Sequence, residues 1–250
     1  MAVSERRYKV GGLRFGVSLD EPWSFMDYVP AVRERIEAAA SGTVVKVLPT
    51  RAGDEVPART YVTCREELPK GFNSRVLDFS QYEPFLCEED ADVLFRISVR
   101  SDRPGWIDSD RLSHMLSVDD KAPGFHIYDL DGETVFAFEA EKGNAVAWLK
   151  VSGDYHCGEF HVLESLRSYS VLFHLNTALM MMYTYNCAAS GALLMHASVV
   201  RHDGLANVFF GVSGTGKSTH SRLWLEHIEG TDLINDDNPV IRVEGEAVFI

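Results

Sequence analysis

Alternation of apolar and polar positions is the first pattern along the chain. Leu13, Phe15, Val17 and Leu19 alternate with Arg14, Gly16 and Ser18, while TVVKVL from Thr43, TYVTC from Thr60 and VLFRISV from Val93 carry the β-branched and aromatic residues of strands. The clearest hairpin is FHIYDLDGETVFAFEA from Phe125, where Asp131-Gly132 fills two turn positions that demand positive φ. NAVAWLKVSG from Asn144 and EFHVLE from Glu159 continue the meander. A short helix is predicted over residues 31–40. Residues 1–165 therefore read as an antiparallel, β-rich region without repeats or low-complexity tracts.

Near residue 165 the period changes. Val171, Leu175, Leu179, Met182 and Tyr183 recur at helical spacing, and Gly191 is placed to end the helix. His174, Asn176, Thr177, Thr184 and Asn186 interrupt this stretch, whereas a membrane span wants about 20 predominantly apolar residues. A long buried helix is predicted instead, with the run Met180-Met181-Met182 filling gaps in a core. Residues 166–250 then form a second unit, a helix followed by a mixed-sheet nucleotide-binding domain. The predicted fold class is α+β.

That second unit carries the chemistry. An apolar run from Leu193, a turn at Asp203-Gly204 and a second apolar run, NVFF, lead into Gly211-x-x-x-x-Gly216-Lys217-Ser218, a full match to the phosphate-binding P-loop (Walker A). The match lies between a predicted strand and a predicted helix. In such a loop, backbone N–H groups surround phosphates and the helix N-terminus adds partial positive charge. Lysine reaches the β and γ phosphates while the following hydroxyl takes a place on Mg²⁺. Gly211, Ser213, Gly214, Thr215, Gly216, Lys217, Ser218 and Thr219 are thus the candidate binders of ATP.

A second acidic signal follows in DLINDDNPVIRV. Leu233 and Ile234 form a short strand, and Asp236-Asp237 stand where it leaves the sheet, as acidic residues do when they hold Mg²⁺. One aspartate can serve the metal while its neighbour takes a proton from an attacking hydroxyl. Which does which stays open at this level; Ser218 and Asp236 are the candidate metal ligands. His196, in LLMHASVV, interrupts an apolar strand and taken alone reads as a core histidine.

Composition narrows the partners. A 250-residue chain that is 46% hydrophobic can bury a large core. Its formal net charge of −13 argues against nucleic acid, whose phosphates are bound by clustered Lys and Arg. Cys64, Cys87, Cys157 and Cys187 are far apart with no CxxC pair, which fits reduced thiols. MAVSERRYKVGG lacks the apolar core of a secretory signal, and no lipidation motif is evident. A cytoplasmic protein without membrane association is expected; an oligomer is compatible with all of this.

The ordered set His196-Ala197-Ser198, Gly211 to Ser218 and Asp236-Asp237 resembles the catalytic domain of the HPr kinase/phosphorylase family, related in fold to ATP-dependent phosphoenolpyruvate carboxykinase. The resemblance covers residues 190–243, and the β-rich first part differs from that family's usual N-terminal domain. It implies that Lys217 and Ser218 bind phosphates and Mg²⁺, and that His196, Asp236 and Asp237 surround the transferred phosphoryl group as catalytic residues. The family carries a further acidic metal ligand and an arginine-bearing loop beyond its Asp pair, whereas this sequence stops at Ile250. The resemblance therefore implies a C-terminally truncated protein whose acceptor site is incomplete.

The leading expectation is transfer of the γ-phosphoryl of Mg-ATP to a hydroxyl, such as a serine of a carrier protein. Alternatives are a small-molecule or carboxykinase-like phosphotransferase, and a regulatory module that binds nucleotide without turnover. Other clusters read as structural. His156, Cys157 and His161 lack a second ligand pair at zinc spacing. The acidic stretch at 88–92 lacks the spaced ligands and glycine of a calcium loop. Trp224, among Leu223, Leu225 and Ile228, reads as a packing residue.

Overall fold

The computed structural model describes residues 4–20, 23–25, 76–77, 79–88, 91–118, 124–141, 143–162 and 168–250. The expected helix at 31–40, the strands from Thr43 and Thr60, Cys64 and part of the acidic stretch at 88–92 lie outside the described residues. The protein is strand-rich α+β.

Its first half contains β1 (Ser4–Val10), β2 (Leu13–Leu19), β3 (Ser24–Phe25), β4 (Val76–Leu77), β5 (Phe95–Arg100), β6 (Leu112–Val118), β7 (Phe125–Leu130), β8 (Glu133–Glu141), β9 (Asn144–Val151) and β10 (Cys157–Val162). Eight of these form one sheet in the order β1-β2-β5-β10-β9-β8-β7-β6, and β3 pairs with β4. Tight connections close the hairpins, as at Asp131-Gly132, where φ values of 53° and 89° match the twist of the flanking strands.

The sheet is mixed, which corrects the antiparallel expectation for residues 1–165. β5 runs parallel to both β2 and β10. Parallel neighbours need long connections, and β5 is separated from β2 by the 20–94 stretch and from β10 by the whole β6–β9 meander. Periodicity within each strand carries no information about such distant pairing.

α1 (Ser168–Cys187) covers one face of this sheet. Val171, Leu175, Leu179, Met182 and Tyr183 are all buried, against Phe15, Phe95, Ile97 and Phe160 among others. Each such apolar side chain contributes about 1.5–3 kcal/mol relative to leaving it in water. The Tyr183 hydroxyl donates to Val10 O at 2.9 Å, tying the helix to the β1–β2 turn, and burial raises its pKa well above the usual phenol range. Gly191, at φ 70°, then ends a short 3-10 turn over Ala188–Ser190. No helix among the described residues is long and apolar enough to cross a membrane. The sheet's other face carries a smaller cluster of Leu130, Val135, Ala137 and Trp148, beneath a 3-10 turn at Gly105–Asp108.

The remaining elements are β11 (Ala192–Leu194), β12 (Ala197–His202), β13 (Leu205–Phe210), α2 (Lys217–His227), β14 (Asp232–Asn235), β15 (Val240–Glu244) and β16 (Ala247–Phe249). They make two three-stranded sheets, β13-β12-β14 and β11-β15-β16, where a mixed-sheet domain is expected. Every pairing within them is antiparallel. The break falls at His196, between β11 and β12. The segment GEAVFI supplies β16, which pairs with β15.

One relationship follows directly from these registers. β13 and β14 both pair antiparallel with β12, so they run parallel to each other with β12 between them and α2 as the crossover. The C-terminal ends of β13 and β14 and the N-terminal end of β12 therefore meet at one edge of the sheet. In open α/β layers that edge is where ligands bind.

Candidate functional site

The expected site residues belong to that edge, to the loop leaving it or to the first turn of α2. Gly211 to Gly216 connect β13 to α2. A Cβ at Gly211 would lie 2.5 Å from Thr215 Oγ1, so any larger residue there must displace the Thr215 side chain. The Thr215 hydroxyl donates to Val212 O at 2.9 Å, which uses this residue to shape the loop. Gly216 adopts φ 90°, and α2 starts immediately after it. Ser213 and Gly214 lie on the exposed outer arc, and Ser218 and Thr219 on the exposed first turn of the helix.

Lys217 folds back over its own loop. Its ammonium donates to Gly211 O at 2.9 Å and to Val212 O at 3.3 Å. The cation is thereby held at the mouth of the glycine-rich arc, with one of its three donors left beyond these two bonds. α2 is seated behind the loop by His220 and Trp224, whose rings lie 4.6 and 5.7 Å from Phe209 of β13. Trp224 also packs on His202 of β12, in keeping with its reading as a packing residue.

The aspartates are positioned by different means. Asp236 Oδ1 accepts a 2.6 Å hydrogen bond from Ser198 Oγ. Ser198 Oγ also lies 2.5 Å from Ser221 Oγ. Since the single hydroxyl hydrogen of Ser198 is directed to the carboxylate, Ser221 must donate to Ser198. Both serines are fully buried. Ser221 sits one helical turn beyond Lys217 and Ser218, on the same face of α2. The chain Ser221–Ser198–Asp236 thus fixes the carboxylate against the helical turn that carries the lysine.

Asp237 is held from the backbone. Asn235 Oδ1 accepts from the N–H groups of both Asp237 and Asn238 at 2.9 Å, an Asx turn of the kind Asn favours. Asn238 Nδ2 donates to Asp237 Oδ2 at 2.8 Å, and Asp237 Oδ1 lies 4.0 Å from His196 Nε2. His196 reaches this position because strand pairing continues on either side of it. Met195 N donates to Pro239 O at 3.0 Å and Ala197 N to Asp237 O at 3.1 Å. Its ring is exposed beside Asp237, which differs from the core histidine that the apolar run alone suggests.

Sequence reasoning missed Ser221 and Asn235 and assigned no role to Ser198. A hydroxyl one turn after Lys217 and an asparagine two residues before Asp237 were the available signals. The histidine–cysteine cluster separates into structural contacts: His156 Nδ1 donates to Leu94 O at 2.8 Å, and buried His161 lies 3.0 Å from Asp102. Among the described residues no group of three or more His, Cys, Asp or Glu converges to hold a metal unaided.

The donor set fits a nucleoside triphosphate with Mg²⁺. A glycine-rich arc, a cation at its mouth, exposed hydroxyls on the first helical turn and an oriented carboxylate at the same end of the sheet are the groups such a ligand requires. Compared with known proteins, the chain matches no protein-family model, and no curated protein is significantly similar to it.

Proposed function

We propose that the chain binds Mg-ATP in the loop between β13 and α2 and transfers its γ-phosphoryl group to a hydroxyl acceptor, as the resemblance to HPr kinase/phosphorylase implies. The observation that carries this reading is that the loop held by Lys217 and the segments bearing His196, Asp236 and Asp237 leave the same end of the β13-β12-β14 sheet. Bound Mg-ATP supplies the transferable group and the neutralising charge of the metal. The chain supplies the geometry.

In this reading Lys217 exchanges its loop carbonyls for phosphate oxygens, and Ser218 and Asp236 hold the metal. Ser198 keeps Asp236 pointing there without consuming its second oxygen. Asp237, exposed and outside the buried hydroxyl network, is the base that receives the acceptor's proton, a role contributing about 10²–10⁴-fold in rate. His196 lies beside it to orient the carboxylate and the incoming hydroxyl. Positioning and charge account for most of the acceleration in phosphoryl transfer.

The test is incubation with γ-labelled ATP, Mg²⁺ and, separately, seryl carrier proteins and small hydroxylated metabolites. Labelled phosphoester formed by the wild type and lost in Asp237→Asn would support transfer. Nucleotide bound tightly with no labelled product from any acceptor would favour a regulatory module without turnover.

A further inference from the structure

A second reactive constellation lies on the large sheet, on the face opposite α1. The Ser117 hydroxyl of β6 is 2.9 Å from His126 Nδ1 on β7. His126 Nε2 in turn is 2.9 Å from Glu139 Oε1 on β8. Glu139 is a buried residue whose Oε1 also accepts from Gly143 N at 2.8 Å. His114 Nε2 lies 3.0 Å from Ser117 Oγ, with its ring 5.2 Å from that of Tyr128.

Backbone registry explains how these groups come together. Residues three apart on a regular strand point to opposite faces, but β6 carries a bulge between His114 and Leu116. His114 is therefore opposite Tyr128 and Ser117 opposite His126, two positions on the same face of β7. His126 is opposite Ala137, which puts Glu139, two residues on, on that face too. Bulges recur beside active sites because they re-aim a side chain in this way.

The hydrogen-bond roles follow from donor counting. A carboxylate at Glu139 accepts only, so His126 Nε2 carries a proton, and in the neutral imidazole Nδ1 is then the acceptor. Ser117 then donates to Nδ1, and its oxygen accepts from His114 Nε2. This is nucleophile, base and orienting acid in order, the relation by which such triads are recognised irrespective of sequence position.

A cleft of about 440 Å³ lies further along the same face, bounded in part by Ile107, Leu112, Tyr128 and Trp148, with Ser117, His126 and Glu139 outside its lining. Tyr128 both lines it and packs on His114, and Gly143 both lines it and holds Glu139. Arg103, Asp108 and Asn144 share the lining with these apolar side chains, so the cleft suits a small group that carries polar atoms beside an apolar part.

We propose that Ser117, His126 and Glu139 form a nucleophilic site that hydrolyses small carboxylic esters. Ser117 Oγ attacks the carbonyl carbon as its proton passes to His126 Nδ1. The bond from that carbon to the leaving oxygen breaks as the proton moves on to the alcohol. Water then attacks the acyl-serine, giving its proton through His126 to Ser117 Oγ, so that the free acid leaves and the hydroxyl is restored. Glu139 keeps His126 in the required tautomer and is a positioning residue.

The test uses the full chain, an alkyl fluorophosphonate probe with the labelled residue located by mass spectrometry, and p-nitrophenyl acetate hydrolysis as a function of pH. Labelling at Ser117 is expected, slowed about 100-fold or more in His126→Gln, with hydrolysis lost in Ser117→Ala. Glu139→Gln should shift the pH profile as well as lower the rate, which loss of packing alone would not do. Circular dichroism verifies that each variant is folded, and Ser117→Cys, probed with iodoacetamide, repeats the test without removing the nucleophile. A folded wild type that is unlabelled, labelled elsewhere, or labelled at Ser117 equally fast in His126→Gln would overturn the proposal.

Discussion

Ser198 and Asp236 are joined by a 2.6 Å hydrogen bond that connects the start of β12 to the turn after β14. The donor is fully buried, and Ser221 of α2 backs it at 2.5 Å. A carboxylate at the proposed transfer site is thereby anchored in the interior of the domain. Removing either hydroxyl should therefore affect both stability and chemistry.

Ser198→Ala leaves the Ser221 hydroxyl without its acceptor and Asp236 without its donor. A cost of about 1–3 kcal/mol is expected in urea unfolding, because a buried polar group loses its partner. Ser198→Ala combined with Ser221→Ala should cost less than the sum of the single changes, since no hydroxyl is then stranded. Additive costs would contradict the hydrogen-bonded chain. Equilibrium unfolding of the three variants decides this.

The two aspartates and the lysine divide the proposed function. Asp237→Asn should reduce phosphoryl transfer by about 10²–10⁴-fold while leaving ATP affinity within a few fold. Lys217→Ala should instead weaken nucleotide binding itself. Equal loss of affinity in both variants would refute this separation; isothermal titration and single-turnover transfer measure the two effects.

Acid should weaken the fold through His174. This residue is buried in α1, its ring 5.8 Å from Phe138 and 5.4 Å from Phe173. Burial lowers its pKa from the ordinary 6.5. The unfolded chain therefore takes up a proton at higher pH than the native one. The resulting contribution is fully present above that ordinary value and declines as pH falls toward the lowered native pKa. Thermal melts from about pH 7.5 to 5.5 should show a falling Tm, and His174→Leu should flatten that slope. An unchanged slope in the variant would rule His174 out as the cause.

Leu175 is fully buried between α1 and the large sheet. Leu175→Ala is expected to destabilise the protein by about 2–5 kcal/mol through lost transfer energy and a residual cavity. A cost below 1 kcal/mol would indicate that the helix packs elsewhere.

Much of this arrangement is legible locally. Apolar spacing predicts the α1 positions that are buried, and Asp-Gly pairs predict the turns at Asp131 and Asp203, where both residues take positive φ. Local pattern is silent on which distant strands pair, so the parallel neighbours of β5 were not foreseen. It is also silent on the bulge at Met115, which shifts His114 relative to Ser117 and assembles a cluster that no spacing rule suggests. In the candidate site, glycine, lysine and aspartate announce themselves by type. Ser198 and Ser221 act only through a contact between two elements, which is visible only after folding.

Isothermal titration of ATP, with and without Mg²⁺, into the wild type and Lys217→Ala tests the central claim most directly. The account predicts Mg²⁺-dependent binding that is lost or weakened by at least about tenfold, near 1.4 kcal/mol, in the variant. Absence of binding by the folded wild type, or equal binding by both proteins, would contradict it.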